Sequence, residues 1–363
     1  MSVDILSHYC AYVDCDRGGP SGGGIKFAND VAKFDRAVDA HILPNRKGIL
    51  CTAVWPEGNM VFSGGADGIV KMFDVVQGSS NEQAEGTQVS SLCSFGSWLF
   101  CGFVNQPVPG QDVGFVKGYN FGTGSAPEQF NFEMSKEYPA AHTIRVNTIC
   151  VGADMVFTGG ADGCVRAWSL QGAQGWGLVG SLGGTIAHPC PVTRMTVFNN
   201  ILFTGAQNGE VKVWSMQGQL QSQFQAHEGA ITDMLGWTNG TQVVLFTCSD
   251  DCTIRVWDLQ QNSGVIPTGT QPIFTYPPDL SKQRKPKQIT SMVTHVMSNQ
   301  NHVLLVGFGE GTIQALDIPD FTDLGYLSGH ARNNAITSLT TIPGQSLLFA
   351  GSMDGKLNCF TLL

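Results

Sequence analysis

Short apolar runs of four to seven residues recur along this chain, each followed by small residues, a tight polar turn and a second run in which apolar positions alternate. Five copies of one arrangement are plain. They run from Phe62-Ser63-Gly64-Gly65-Ala66-Asp67-Gly68 to Phe73, from Phe157-Thr158-Gly159-Gly160-Ala161-Asp162-Gly163 to Trp168, and from Phe203-Thr204-Gly205-Ala206-Gln207-Asn208-Gly209 to Trp214. The others run from Phe246-Thr247 through Asp251 to Trp257-Asp258, and from Phe349-Ala350-Gly351-Ser352-Met353-Asp354-Gly355 to Phe360. In each, the acid or amide precedes the aromatic by six residues. Alternation with a period of two, punctuated by Gly and Asp or Asn, predicts strands joined by tight turns. Two weaker copies end at Tyr119 and Leu316, which makes seven. The seven closing positions are about 45 residues apart, except for a stretched interval between Trp257 and Leu316, a period that fits a four-stranded propeller blade.

Between copies lies a further alternating segment that ends in Ala-His or Gly-His, as in Leu220 to His227 and Tyr326 to His330. With Trp257-Asp258 and Gly329-His330, the chain resembles the WD40-repeat family over residues 33–363. The resemblance implies an all-β, seven-bladed WD40 β-propeller preceded by a short, partly Gly-rich N-terminal extension, residues 1–32. It also implies that the strand within 33–41, ending at His41, pairs with the last repeat and closes the ring, which removes free sheet edges. More narrowly, Phe95 to Gly102 and Ala315 to Phe321 resemble the propeller half of plant-type proteins that join a CCCH zinc finger to WD repeats. The finger itself is absent, since His8, Cys10 and Cys15 lack its ligand spacing.

Twenty basic against 29 acidic side chains argue against a surface built mainly for phosphate backbones. No apolar run approaches the roughly 20 residues of a membrane-spanning helix, and Met1-Ser2-Val3-Asp4 opens no signal peptide. A cytoplasmic or other intracellular location is expected. The 11 cysteines follow no regular spacing, which favours buried free thiols.

His142, Thr158 and Asp162 contain the parts of a hydrolase triad, with Trp168 beside them. The same set recurs as His41, Ser63, Asp67 and Phe73, and as His227, Thr247, Asp251 and Trp257, whereas an active site is normally singular. The family resemblance implies buried structural tetrads instead. Degraded versions follow: His188, Thr204, Asn208 and Trp214 with an amide for the acid, and His330, Asp354 and Phe360 with Ala350 where the hydroxyl belongs. The second and sixth repeats lack most members. No enzyme activity, cofactor or small-molecule substrate is expected. Cys248 and Cys252 have no second pair at zinc spacing, and Gly18 to Gly24 lacks the Lys-Ser/Thr of a phosphate loop.

Propeller function sits in departures from the repeat. One is an insertion between the second and third strands of the second repeat, where Val104, Pro107, Val108 and Pro109 offer a restricted apolar loop for a partner, or simply a longer hairpin. The other is the stretched interval, in which Lys282, Arg284, Lys285 and Lys287 concentrate positive charge on one connection. That connection fits an acidic protein, RNA, or solvent alone. The expected function is a non-enzymatic protein-interaction scaffold, a subunit of a larger assembly, with local RNA binding as the alternative.

Overall fold

The computed structural model describes residues 27–29, 48–122, 127–135, 140–170, 175–260, 265–279, 286–328, 330 and 334–362. Among these residues the fold is all-β, with a single 3-10 turn at Pro56–Gly58 and no helix long and apolar enough to cross a membrane. The strands form seven four-stranded groups. We number them as blades 1 to 7: residues 49–84, 88–133, 146–181, 192–225, 231–276, 289–328, and 336–362 completed by Phe27–Asn29. Every group is antiparallel, and all but blade 7, whose fourth strand comes from the N-terminal side, are meanders of consecutive strands.

The first strands, Ile49–Trp55, Gln88–Phe95, Val146–Gly152, Val192–Phe198, Ile231–Thr238, Ile289–Val296 and Ile336–Thr341, touch one another in sequence order, and the last touches the first. They therefore ring a central space. All seven carry a β-bulge just after the leading Val or Ile, between residue pairs such as Val146/Thr148 and Ile231/Asp233. The bulge turns the residue two positions on toward the centre. Second strands such as Met155–Gly160 and Ile201–Ala206 are buried almost throughout, because blades cover both of their faces. Outer strands such as Ser80–Ala84 and Leu220–Gln225 are mostly exposed, which explains their polar composition.

The core is not one central mass. It divides into seven apolar clusters, one at each junction between neighbouring blades, including the junction of blades 7 and 1, where Ile49, Val61 and Phe73 meet Ile342 and Phe349. At the junction of blades 2 and 3 the outer strands also pair, Trp176 with Phe132 in parallel, so these two blades form one eight-stranded sheet. Trp98, Phe100, Phe130, Phe132 and Trp176 pack there with centroids 5.1 to 6.0 Å apart.

The N-terminal boundary expected after residue 32 moves. Phe27–Asn29 pairs antiparallel with the last strand, Phe27 opposite Leu362, so the extension already contributes to the sheet upstream of 33. The expected closing segment 33–41, with His41, lies outside the described residues.

Candidate functional site

The most elaborate polar groups lie between blades. In blade 3, His142 leads into the first strand, Thr158 is on the second, Asp162 is in the turn after it, and Trp168 is on the third. The Trp168 Nε1–H donates to Thr158 Oγ1 at 2.9 Å, and His142 Nε2 lies 2.8 Å from the same oxygen. His142 Nδ1 lies 2.9 Å from Asp162 Oδ1, and Arg166 Nη1 donates to Asp162 Oδ2 at 3.1 Å. With a neutral ring, Thr158 donates to Nε2 and Nδ1–H donates to Asp162, whereas Arg166 Nε is buried with no partner among the described residues. Burial lowers the His142 pKa, the Asp162 carboxylate raises it, Arg166 lowers it again, and it ends below the usual histidine range. Burial pushes the Asp162 carboxyl up, but the bonds and charges of His142 and Arg166 outweigh it and hold the group well below normal.

The relay matches a nucleophilic triad in connectivity. It differs in access: His142 and Thr158 are both 0% exposed, and the second partner on Thr158 is an indole N–H where a substrate carbon would have to stand. Blade 5 repeats the set, with His227 2.8 Å from Thr247 and 2.9 Å from Asp251, and Trp257 2.9 Å from Thr247. The turn glycine follows from the same packing. Gly163 has φ +72°, and a Cβ there would stand 2.4 Å from the His188 carbonyl oxygen at the start of the next blade.

Blade 4 departs from its sequence-based assignment. His188 meets Thr204 at 2.7 Å, and Trp214 donates to Thr204 at 2.9 Å. Asn208, however, is not the partner of Nδ1. Its Oδ1 accepts the Glu210 backbone N–H within the turn, and the carboxylate of Glu210 lies 3.2 Å from His188 Nδ1. The longer Glu side chain reaches from two residues further along. In blade 7, Asp354 lies 3.2 Å from His330 Nδ1, and with Ala350 opposite, His330 Nε2 is buried with no partner among the described residues. Phe360 stands there for Trp, so no indole N–H is stranded as well. In blade 1, Ser63 and Phe73 are buried and Asp67 accepts the Ile69 N–H.

Blade 2, which lacks most members of the set in its sequence, is rebuilt from other residues. Glu85 precedes Val89 by four residues, as His142, His188 and His227 precede Val146, Val192 and Ile231. Its buried carboxylate accepts from Tyr119 Oη and from Lys117 Nζ, the latter at 2.9 Å. Burial and the Glu85 carboxylate together raise the Tyr119 phenol well above its usual range. Lys117 also reveals a regularity missed in the sequence: a cation two residues before the closing aromatic, as Lys71, Lys117, Arg166, Lys212 and Arg255. All five meet a carboxylate, Glu82, Glu85, Asp162, Glu210 and Asp251 in turn, at 2.9 to 3.9 Å, and Arg255 also donates to the Ala226 carbonyl at 2.8 Å.

The two departures from the repeat differ in kind. The insertion is an ordered hairpin of Trp98–Val108 and Gln111–Asn120, closed by Pro109 and Gly110, the latter at φ +82°. Val104 is 2% exposed and its strand pairs with the first strand of its own blade, so it is a core residue and not a partner anchor. Pro107 and Pro109 are exposed, with Asn105, Gln106, Gln111 and Asp112, and Val108 pairs with Gln111 across the tip. Of the basic cluster, Lys282, Arg284 and Lys285 lie outside the described residues. Lys287 is committed: its ammonium lies 2.5 Å from Glu310 and over the rings of Phe308 and Tyr326. The stretched interval is also tied down earlier, since Ile266 is 1% exposed beside Trp257 and Thr268 donates to the Gln223 carbonyl at 2.8 Å.

The chain matches the family model of the WD domain, G-beta repeat, at residues 35–74, 218–258 and 321–361. In sequence the three stretches contain His41 to Phe73, His227 to Trp257 and His330 to Phe360, and the second and third run from an outer strand through the next third strand. Among solved structures, the chain is similar to the computationally designed Ika8 protein, with a TM-score of 0.55 and 19% identity over 87% of this chain and 96% of that one. At that identity the likeness concerns the fold alone. No curated protein matches.

Proposed function

We propose that the chain, matched by the WD-repeat model at three stretches, is a WD40-repeat propeller and, as such propellers generally mediate contacts between proteins, a non-enzymatic scaffold within a larger intracellular assembly. One observation carries the proposal: the groups that imitate catalysis are repeated between blades and sealed from solvent, while the tip of the blade 2 hairpin stands exposed on a rigid ring. A repeated, inaccessible network serves the fold. An exposed tip held by paired strands and two prolines presents a partner with a pre-organised surface at low entropic cost. Pro107 has no N–H to offer another strand, which favours side-chain recognition over sheet extension.

RNA binding would draw on Lys282, Arg284 and Lys285, since Lys287 already serves Glu310. The two roles separate in one experiment. The full chain is purified at low and moderate salt beside a variant in which residues 106–112 are replaced by a two-residue turn. A partner protein retained across salt by the native chain and lost from the variant supports the proposal. Co-purifying RNA that falls steeply with salt and ignores the hairpin would replace it.

A further inference from the structure

The seven bulges place Cys51, Ser91, Thr148, Arg194, Asp233, Ser291 and Ser338 at equivalent positions around the ring. All seven line one central cavity of about 220 Å³. At four of them the side-chain oxygen accepts a backbone N–H from the next blade: Thr148 from Met195 at 3.2 Å, Asp233 from Met292 at 2.8 Å, Ser291 from Leu339 at 3.0 Å and Ser338 from Thr52 at 3.1 Å. The position therefore calls for an acceptor.

Arg194 is a donor there. Its side chain accepts nothing, and the N–H it would have served, on Met234, turns to Asp233 Oδ1 at 3.0 Å. Asp233 thus holds two backbone N–H groups, one on each oxygen, and meets Arg194 only at 3.8 Å through Nε. Arg194 Nη1 donates to the Thr193 carbonyl at 3.0 Å, and the side chain keeps 35% of its surface open to the cavity. No other Lys or Arg among the described residues lines this space, whose walls are otherwise rich in hydroxyls from Thr52, Ser90, Ser91, Thr337 and Ser338. An interrupted structural relay and a loosely held guanidinium are what a ligand site would require and what the ring alone would not.

We propose that the Arg194 side of the central cavity binds a small oxyanion of the phosphate type. A guanidinium offers such an anion two parallel donors, and the Thr148 hydroxyl on the adjacent blade, whose oxygen accepts from Met195, can donate to one of its remaining oxygens. The cavity is small, about 220 Å³, below the ~300–1,000 Å³ of sites for drug-sized ligands. A free ion fits that space. Asp233 limits the affinity, because its charge faces the same cavity.

Calorimetric titration of the full chain with inorganic phosphate, at constant ionic strength in chloride, tests the site. Saturable binding is expected, with sulfate competing and chloride not. Arg194→Gln should weaken phosphate binding at least about tenfold, the cost of losing a desolvated charge partner. Asp233→Asn, which keeps an oxygen for Met292, should strengthen it. If Arg194→Gln fails to fold, Arg194→Lys decides, since loss of the planar fork alone should weaken binding. No saturable phosphate binding, or unchanged affinity in the folded Arg194 variants, would overturn the proposal and leave Arg194 as the ion-pair partner of Asp233.

Discussion

Thr158 is where the blade 3 network is most exposed to a single change. Replacing it by Val keeps shape and volume and removes one oxygen, but that oxygen serves two buried groups at once, Trp168 Nε1 at 2.9 Å and His142 Nε2 at 2.8 Å. Each stranded group costs about 1–3 kcal/mol, so Thr158→Val should cost roughly 2–6 kcal/mol, a large share of the ~5–15 kcal/mol that holds a typical domain. Blade 7 supplies the natural comparison: Ala350 strands only His330 Nε2, because Phe360 carries no N–H. The converse change, Ala350→Ser, should therefore stabilise by about 1 kcal/mol. Urea unfolding followed by far-ultraviolet circular dichroism gives the totals. Native-state hydrogen exchange should place the lost protection of the Val variant within 142–170. A cost below about 0.5 kcal/mol, the range of an ordinary surface change, would refute the shared-acceptor role of Thr158.

Three further outcomes follow from the same geometry. Glu210→Gln should destabilise blade 4 by about 1 kcal/mol or more while Asn208→Ala costs less, measured by the same urea titration; the reverse order would restore Asn208 as the acid-position residue. Burial and the nearby Lys212 lower the His188 pKa to about 3. The unfolded chain then takes up that proton near pH 6.5 and the native state does not, so stability from this group is whole above pH 6.5 and falls as pH drops toward 3. The loss should reach about 2 kcal/mol at pH 5, and His188→Gln should flatten that part of the profile. Val104→Asp should lower the melting temperature sharply by burying a charge, whereas Pro107→Ala and Pro109→Ala should leave it nearly unchanged.

The strands and the sets built on His142, His188 and His227 were legible because they repeat: the six-residue step from acid to aromatic keeps the turn and the third strand in register. What escaped was substitution that preserves position and changes type. Glu85 does the work of a histidine with a different side chain, and only its four-residue step to Val89 marks it in the sequence. Glu210 escaped because a longer side chain spans two residues of displacement. Val104 borders the inserted loop in sequence, yet it is a buried strand residue opposite Gly114. The parallel pairing of Trp176 with Phe132 joins two outer strands from different repeats, and no periodicity within one repeat encodes it.

In the proposed function the propeller works by presenting its blade 2 hairpin to another protein. A photo-crosslinking residue introduced at Gln106, with a second at exposed Val179 on blade 3 as the control, tests it in cells. The Gln106 position should yield crosslinks to the same protein in repeated preparations, and the Val179 position should not. Equal crosslinking at both positions, or none at Gln106 across growth states, would contradict the claim.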